Sequence, residues 1–154
     1  MYLSPLMGKL NFPEYEFKVN RDSKGTQIFD IVRKKFFMVT PEEIVRQHAI
    51  HFLHFEKGYP LSLMAVEKEI KVNNMSKRFD LVCYDTYGQP RMICEFKQPE
   101  VPINQSVFMQ VANYNIVMGA PLVYVTNGID HYIAEIDFSD KSHKFLREIP
   151  NHQP

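Results

Sequence analysis

Apolar and polar residues change their spacing several times along the chain, and each change marks an element. Between Tyr15 and Val32, short β-favouring runs flank Arg21-Asp22-Ser23-Lys24-Gly25 and predict an N-terminal hairpin. Thr40-Pro41-Glu42-Glu43 supplies an N-cap, a proline at the first helical position and acids in the first turn. The apolar residues Ile44, Val45, Ala49, Phe52 and Leu53 follow at helical spacing, so a helix of about four turns is expected, ending near Lys57-Gly58. Leu63 to Val72, Phe79 to Tyr84 and Arg91 to Phe96 are rich in β-branched and aromatic residues. They are separated by Asn73-Asn74 and Asp85-Thr86-Tyr87-Gly88, which predicts three successive antiparallel strands. Val107, Val111, Tyr114 and Met118 return to helical spacing over Asn104 to Met118, with Gly119 as terminator. The wholly apolar run Pro121 to Thr126 predicts a strand buried on both faces, and Asn127-Gly128 turns it toward a last strand at Tyr132 to Phe138.

The order is helix, three strands, helix, two strands. With 154 residues, 45% hydrophobic and 13% aromatic, the chain can bury one compact core. No repeat or Gly/Ser linker divides it, so a single domain over 1–154 with a core at about 30–138 is expected. Met1 to Phe12 lacks the basic and apolar regions of a signal peptide, and Gln110, Asn113, Asn115 and Pro121 interrupt the longest apolar stretch. Cytoplasmic residence away from membranes is therefore expected. Cys83 and Cys94, both in apolar strand patterns, read as buried reduced thiols, and the eight methionines as core filler.

The zero net charge conceals an asymmetry. Residues 1–78 carry thirteen Lys and Arg against nine Asp and Glu, whereas the remainder carries five against nine. A basic segment beside an acidic one suits a phosphate-contacting surface next to carboxylates that collect a cation.

The central hairpin fixes where those carboxylates fall. Residues paired across an antiparallel ladder share a face, and a turn centred between Tyr87 and Gly88 sets Asp80 opposite Glu95. Strand side chains alternate with period two, so Lys97 joins Glu95, while Leu81 and Cys94 face the other side as a buried layer. Two carboxylates and an amine in one place form a tool for phosphodiester cleavage. Asp80, Glu95 and the backbone carbonyl of Phe96 offer hard oxygen ligands suited to Mg²⁺ or Mn²⁺. Lys97 can position the attacking water or offset charge on the phosphate in the transition state.

With these residues in place, the chain resembles the PD-(D/E)XK nucleases, and within them the N-terminal nuclease domain of type I restriction enzyme R subunits. The likeness covers about residues 30–138 and rests on six segments in order: TPEEIVRQ at Thr40 to Gln47, GYP at Gly58 to Pro60, RFDLVCYD at Arg78 to Asp85, ICEFKQP at Ile93 to Pro99, QVANYN at Gln110 to Asn115 and APLVYVTNG at Ala120 to Gly128. The resemblance implies an α/β fold with a restriction-endonuclease-like mixed central sheet (an αβββαβ core) flanked by helices. It implies Asp80, Glu95 and Lys97 as catalytic residues, and Glu43 as a further acid near the metal, with Glu42 competing for that role. Gln110 and Tyr114 match the family's Gln-x-x-x-Tyr element, whose i, i+4 spacing puts both on one helical face near DNA or the catalytic residues. Phe79 stands where the family's eponymous proline would be.

No G-x-x-x-x-G-K-[ST] loop is present, so these residues are not themselves an ATP-driven translocase. The expectation is a Mg²⁺-dependent DNA endonuclease, alone or with a helicase/translocase or another restriction subunit. The competing reading is a non-catalytic DNA-binding or assembly module; homodimerisation and a preference for RNA stay open. Among basic residues, Arg46, Lys77, Arg78 and Arg91 are candidates for phosphate contact, Arg78 foremost because it is two residues from Asp80 on the same strand face. His48, His51 and His54 step around their helix too fast to converge on one ion.

Overall fold

The computed structural model describes residues 9–154. The sequence reading of Met1 to Phe12 as lacking a leader falls mostly outside the described residues. Three antiparallel strands come first: β1 (Val19–Asp22), β2 (Gly25–Asp30) and β3 (Lys35–Met38). The expected hairpin is β1–β2, where Asp22 Oδ1 accepts the Lys24 N–H at 2.8 Å and Gly25 takes φ +125°. β3 was not anticipated. It is an edge strand with both Phe36 and Met38 exposed, so its sequence shows no clean alternation. The buried Asp30 organises the chain between β2 and β3 by accepting the N–H groups of Val32 at 2.7 Å and Arg33 at 2.9 Å.

Helix α1 (Pro41–His51) starts as its sequence requires. Thr40 Oγ1 accepts the Glu43 N–H at 3.1 Å, and Pro41 occupies the first turn, where its missing N–H costs nothing. The helix widens into a π-helical turn at Phe52–Glu56 and leaves through Gly58, at φ +78°. Ile44, Val45, Ala49, Ile50 and Leu53 form its buried stripe.

The main sheet holds six strands in sequence order. β4 (Met64–Val72), β5 (Met75–Tyr84) and β6 (Pro90–Phe96) are antiparallel; helix α2 (Gln105–Met118) then crosses over so that β7 (Leu122–Thr126) pairs parallel with β6. β8 (His131–Asp137) and β9 (Ser142–Leu146) complete it antiparallel. All five residues of β7 are buried, as its unbroken apolar run predicts. The strand expected to be last is followed by β9, whose Ser142-His143-Lys144 start carries no apolar alternation because it forms the sheet edge. Asn73 and Asn74 both adopt positive φ, the backbone of a tight two-residue hairpin. Asn104 caps α2 and Gly119 closes it at φ +69°, with the buried Asn115 carboxamide clamping both the N–H and the C=O of Ala120.

The two helices cover opposite faces. Ile44, Val45 and Ala49 of α1 pack with Leu81, Cys83, Met92, Cys94 and Phe96, whereas Phe108 and Val111 of α2 pack with Val82, Ile93, Val123 and Val125. Leu81 and Cys94 therefore share a buried layer. The alternation breaks at one place: Phe79 joins Val82 on the α2 side, and Ile70 lies there although Val66 lies on the α1 side. Both switches bracket Glu67, which has φ +55°, and Asp80. The site is built at this break. Both cysteines are free and buried, and among the described residues no helix is long and apolar enough to cross a membrane.

Candidate active site

The β5–β6 pairing runs Leu81↔Cys94, Val82↔Ile93 and Cys83↔Met92, and shifts by one residue only beyond Cys83. The register expected from the turn therefore holds where it matters. Asp80 Oδ2 accepts the backbone N–H of Phe96 at 2.7 Å, the Asp80 charge acts on the neighbouring Glu95 carboxyl, and Lys97 Nζ lies 3.8 Å from Glu95 Oε1. Burial foremost, and then the Asp80 charge, push the pKa of Glu95 up to about 8, while Lys77 and Lys97 pull the other way. Glu95 Oε2 is buried without a hydrogen-bond partner among the described residues.

Helix α1 brings a cation against this pair. Arg46, a candidate for phosphate contact in the sequence, has a side chain only 6% exposed. Its Nη1 lies 3.0 Å from Glu43, and its Nη2 lies 3.4 Å from Asp80, 3.7 Å from Glu67 and 3.8 Å from Glu42. Burial opposes its charge, but the carboxylates outweigh burial and hold the guanidinium protonated. The i, i+3 and i, i+4 spacing of Glu43 and Glu42 to Arg46 was a signal for this network. Glu67 was also missed. Pairing counted outward from Asn73-Asn74 places it across from Asp80, between the observed pairs Val66↔Leu81 and Lys68↔Phe79.

The two candidate acids of α1 divide. Glu43 is taken up by hydrogen bonds from Arg33 at 2.8 Å, Arg46 at 3.0 Å and Gln47 at 3.2 Å. Glu42, half-exposed, is the one that senses the centre: burial and then the Asp80 charge raise its pKa, and Arg46 and Lys97 lower it.

The remaining expected residues lie at varying distance. Arg78 reaches Glu67 at 3.5 Å, with its side chain 61% exposed. Tyr114 is half-buried on α2 with the Lys77 ammonium 4.8 Å from its ring centre, and Lys77 in turn acts on Glu95, so Tyr114 borders the site through that lysine. Gln110 is exposed on the same helix, and its side chain makes no hydrogen bond among the described residues. His48, His51 and His54 each direct Nδ1 to a different backbone carbonyl, those of Ile44, Gln47 and Tyr59.

Asp80, Glu95, Lys97, Glu42, Arg46 and Glu67 thus come together at the sheet break, and all lie within residues 41–150, the segment that matches the family described as Type I restriction enzyme R protein N terminus (HSDR_N). A fragment of a protein described as an HsdR subunit of a type I restriction enzyme from Vibrio vulnificus YJ016 has a similar fold. The TM-score is 0.52 with 21% identity over 73% of this chain, and this chain spans 24% of that one. No curated protein matches the sequence. The family match covers well over half of the chain, so the chain belongs to the type I restriction enzyme R protein N-terminus family.

Proposed function

We propose that the chain is a divalent-metal-dependent endonuclease that hydrolyses DNA phosphodiester bonds, with Asp80, Glu95 and Lys97 as its catalytic residues. The observation that carries this reading is the buried, unpartnered Oε2 of Glu95 beside Asp80. A buried carboxylate oxygen without a donor is costly, and a divalent cation would relieve both that cost and the repulsion between the two acids.

Among the described residues no group of three or more His, Cys, Asp or Glu side chains is arranged as a ready metal cage. The donor set nevertheless fits Mg²⁺ or Mn²⁺, which take few protein carboxylates and fill their remaining positions with water and phosphate oxygen. Asp80, Glu95 and the Phe96 carbonyl would hold the ion. Of the α1 acids the electrostatics favour Glu42 over Glu43, which would act by positioning Arg46. When bound, the ion would supply Lewis-acid polarisation of the scissile phosphate and a counter-charge to the carboxylates.

The chain's own residues do the rest. Lys97, with a side chain 36% exposed, stands where the carboxylates meet solvent and can offer its ammonium to a phosphate oxygen or to the attacking water. Tyr114 holds Lys77 beside Glu95, adding positive charge on the α2 side. Gln110 and Arg78 would contact or orient the DNA backbone. The natural partners are DNA and the other subunits of a restriction system, including a translocase, in the cytoplasm.

Conversion of supercoiled plasmid to nicked or linear forms tests this. The wild-type protein is expected to cut in Mg²⁺ or Mn²⁺ and to stop in EDTA, and Asp80→Asn and Lys97→Ala to be inactive. A wild-type protein that never cuts with either metal contradicts the reading. One observation favours a non-catalytic DNA-binding or assembly module instead: the Arg46 guanidinium already neutralises part of the acidic cluster. DNA binding without cleavage would select that alternative.

A further inference from the structure

β5 is ten residues long, but its pairs with β6 begin only at Leu81. Its first half pairs with β4 alone, from Lys68↔Phe79 to Val72↔Met75. The β4–β5 hairpin therefore continues past the end of β6 as a two-stranded arm rooted at Asp80. Over residues 68–78 the arm carries Lys68, Lys71, Lys77 and Arg78 against the single acid Glu69. Lys77 is committed to the Tyr114 ring on the α2 side. Lys68 and Lys71 are exposed and make no ion pair among the described residues, and Arg78 is tied only to the half-exposed Glu67.

The register sorts these cations by face. Glu69↔Arg78 and Lys71↔Ser76 are direct pairs, so Lys71, Ser76 and Arg78 share one face of the arm with Glu69, the single acid there. Arg78 and Asp80 meet the same intermediaries there, because Glu67 contacts both Arg78 and Arg46, and Arg46 contacts Asp80. Along a strand, same-face positions repeat every ~6.7 Å.

We infer that the β4–β5 arm is a DNA-backbone contact surface, along which one strand of a duplex runs toward the carboxylates, with Arg78 on a phosphate nearer to Asp80 and Lys71 on one farther out along the arm. Its orientation toward Asp80 rests on the nuclease reading; its capacity to bind DNA does not. The contacts are to phosphate, so the arm positions the duplex without reading its sequence.

The test is fluorescence anisotropy of a labelled DNA duplex with the full chain in EDTA, across a series of NaCl concentrations. Each phosphate contact contributes a slope of about 0.9 to log K against log salt, so Lys71→Ala/Arg78→Ala should flatten the dependence by about two. Lys144→Ala, on the exposed edge strand β9, should leave it unchanged. Both arm residues are exposed, and matching circular-dichroism melts would exclude a folding defect; Lys71→Glu should weaken binding further. An unchanged slope in the double variant, or wild-type protein without salt-dependent duplex binding, overturns the inference, as when the arm serves an acidic protein neighbour. Plasmid cutting separates the two readings. Cutting with an unaltered slope sinks the arm alone, and a flattened slope without cutting sinks the nuclease alone.

Discussion

Asp80 on β5 accepts the backbone N–H of Phe96 on β6 at 2.7 Å, so the aspartate is held by the strand that carries Glu95 and Lys97. The bond fixes one carboxylate oxygen and leaves the other toward Arg46. It ties fold to chemistry, and substitutions at Asp80 can separate the two. Asp80→Asn keeps an oxygen that can accept from Phe96 and should melt within a few degrees of wild type while losing all cutting. Asp80→Ala strands a buried N–H at a cost of about 1–3 kcal/mol, a drop in Tm of about 3–10 °C. Paired melts and plasmid assays check both; equal melting of the two variants would contradict the bond's role.

Glu95 should trade stability for function. Its folded pKa is raised above the ordinary value for a glutamate, so its stabilising contribution is full below about 4.5 and is lost as pH rises through about 8. Metal-free Glu95→Gln should therefore melt higher than wild type at pH 8.5, with the gap shrinking toward pH 5, and should not cut DNA. A variant less stable than wild type at pH 8.5 would show that the ionised carboxylate is well accommodated.

Arg46 joins α1 to the sheet through charge. Removing it leaves Glu43, Asp80 and Glu67 without their shared cation, and breaking a buried pair of this kind costs about 3–5 kcal/mol. Arg46→Met should show that loss in a urea melt, Arg46→Lys a smaller one, and added Mn²⁺ should recover part of it. Neutral behaviour of Arg46→Met would mean that the network contributes nothing net.

Burial holds the pKa values of His48 and His51 below normal, with Phe12, Tyr15 and Phe17 packed around them. A depressed histidine pKa gives stability that is complete above about 6.5 and falls away as the pH drops below it. Melting temperature should decline between pH 6.5 and 5, and His48→Phe should flatten that decline. An identical acid profile in the variant would place the sensitivity elsewhere.

The parts of the fold that were legible in the sequence are those in which burial imposes a pattern. β7 is buried along its whole length, α1 has both a cap and an apolar stripe, and the β5–β6 register follows from requiring Leu81 and Cys94 to share a buried face. β3 and β9 were hidden because edge strands with exposed Phe36, Met38 and Phe145 have little reason to alternate. Asp80, Glu95 and Lys97 converge as the hairpin arithmetic requires. The burial of Arg46 was not legible, since its partners come from α1, β4 and β5 and only the tertiary fold assembles them. Glu67 was within reach, because the arithmetic applied to the second hairpin also applies to the first.

Anomalous diffraction from crystals of the protein soaked in Mn²⁺ tests the shared-cation claim most directly. A peak is expected within bonding distance of both Asp80 and Glu95, with Glu95 Oε2 as a ligand. Crystals with no peak there and Arg46 still against Asp80 would contradict the claim.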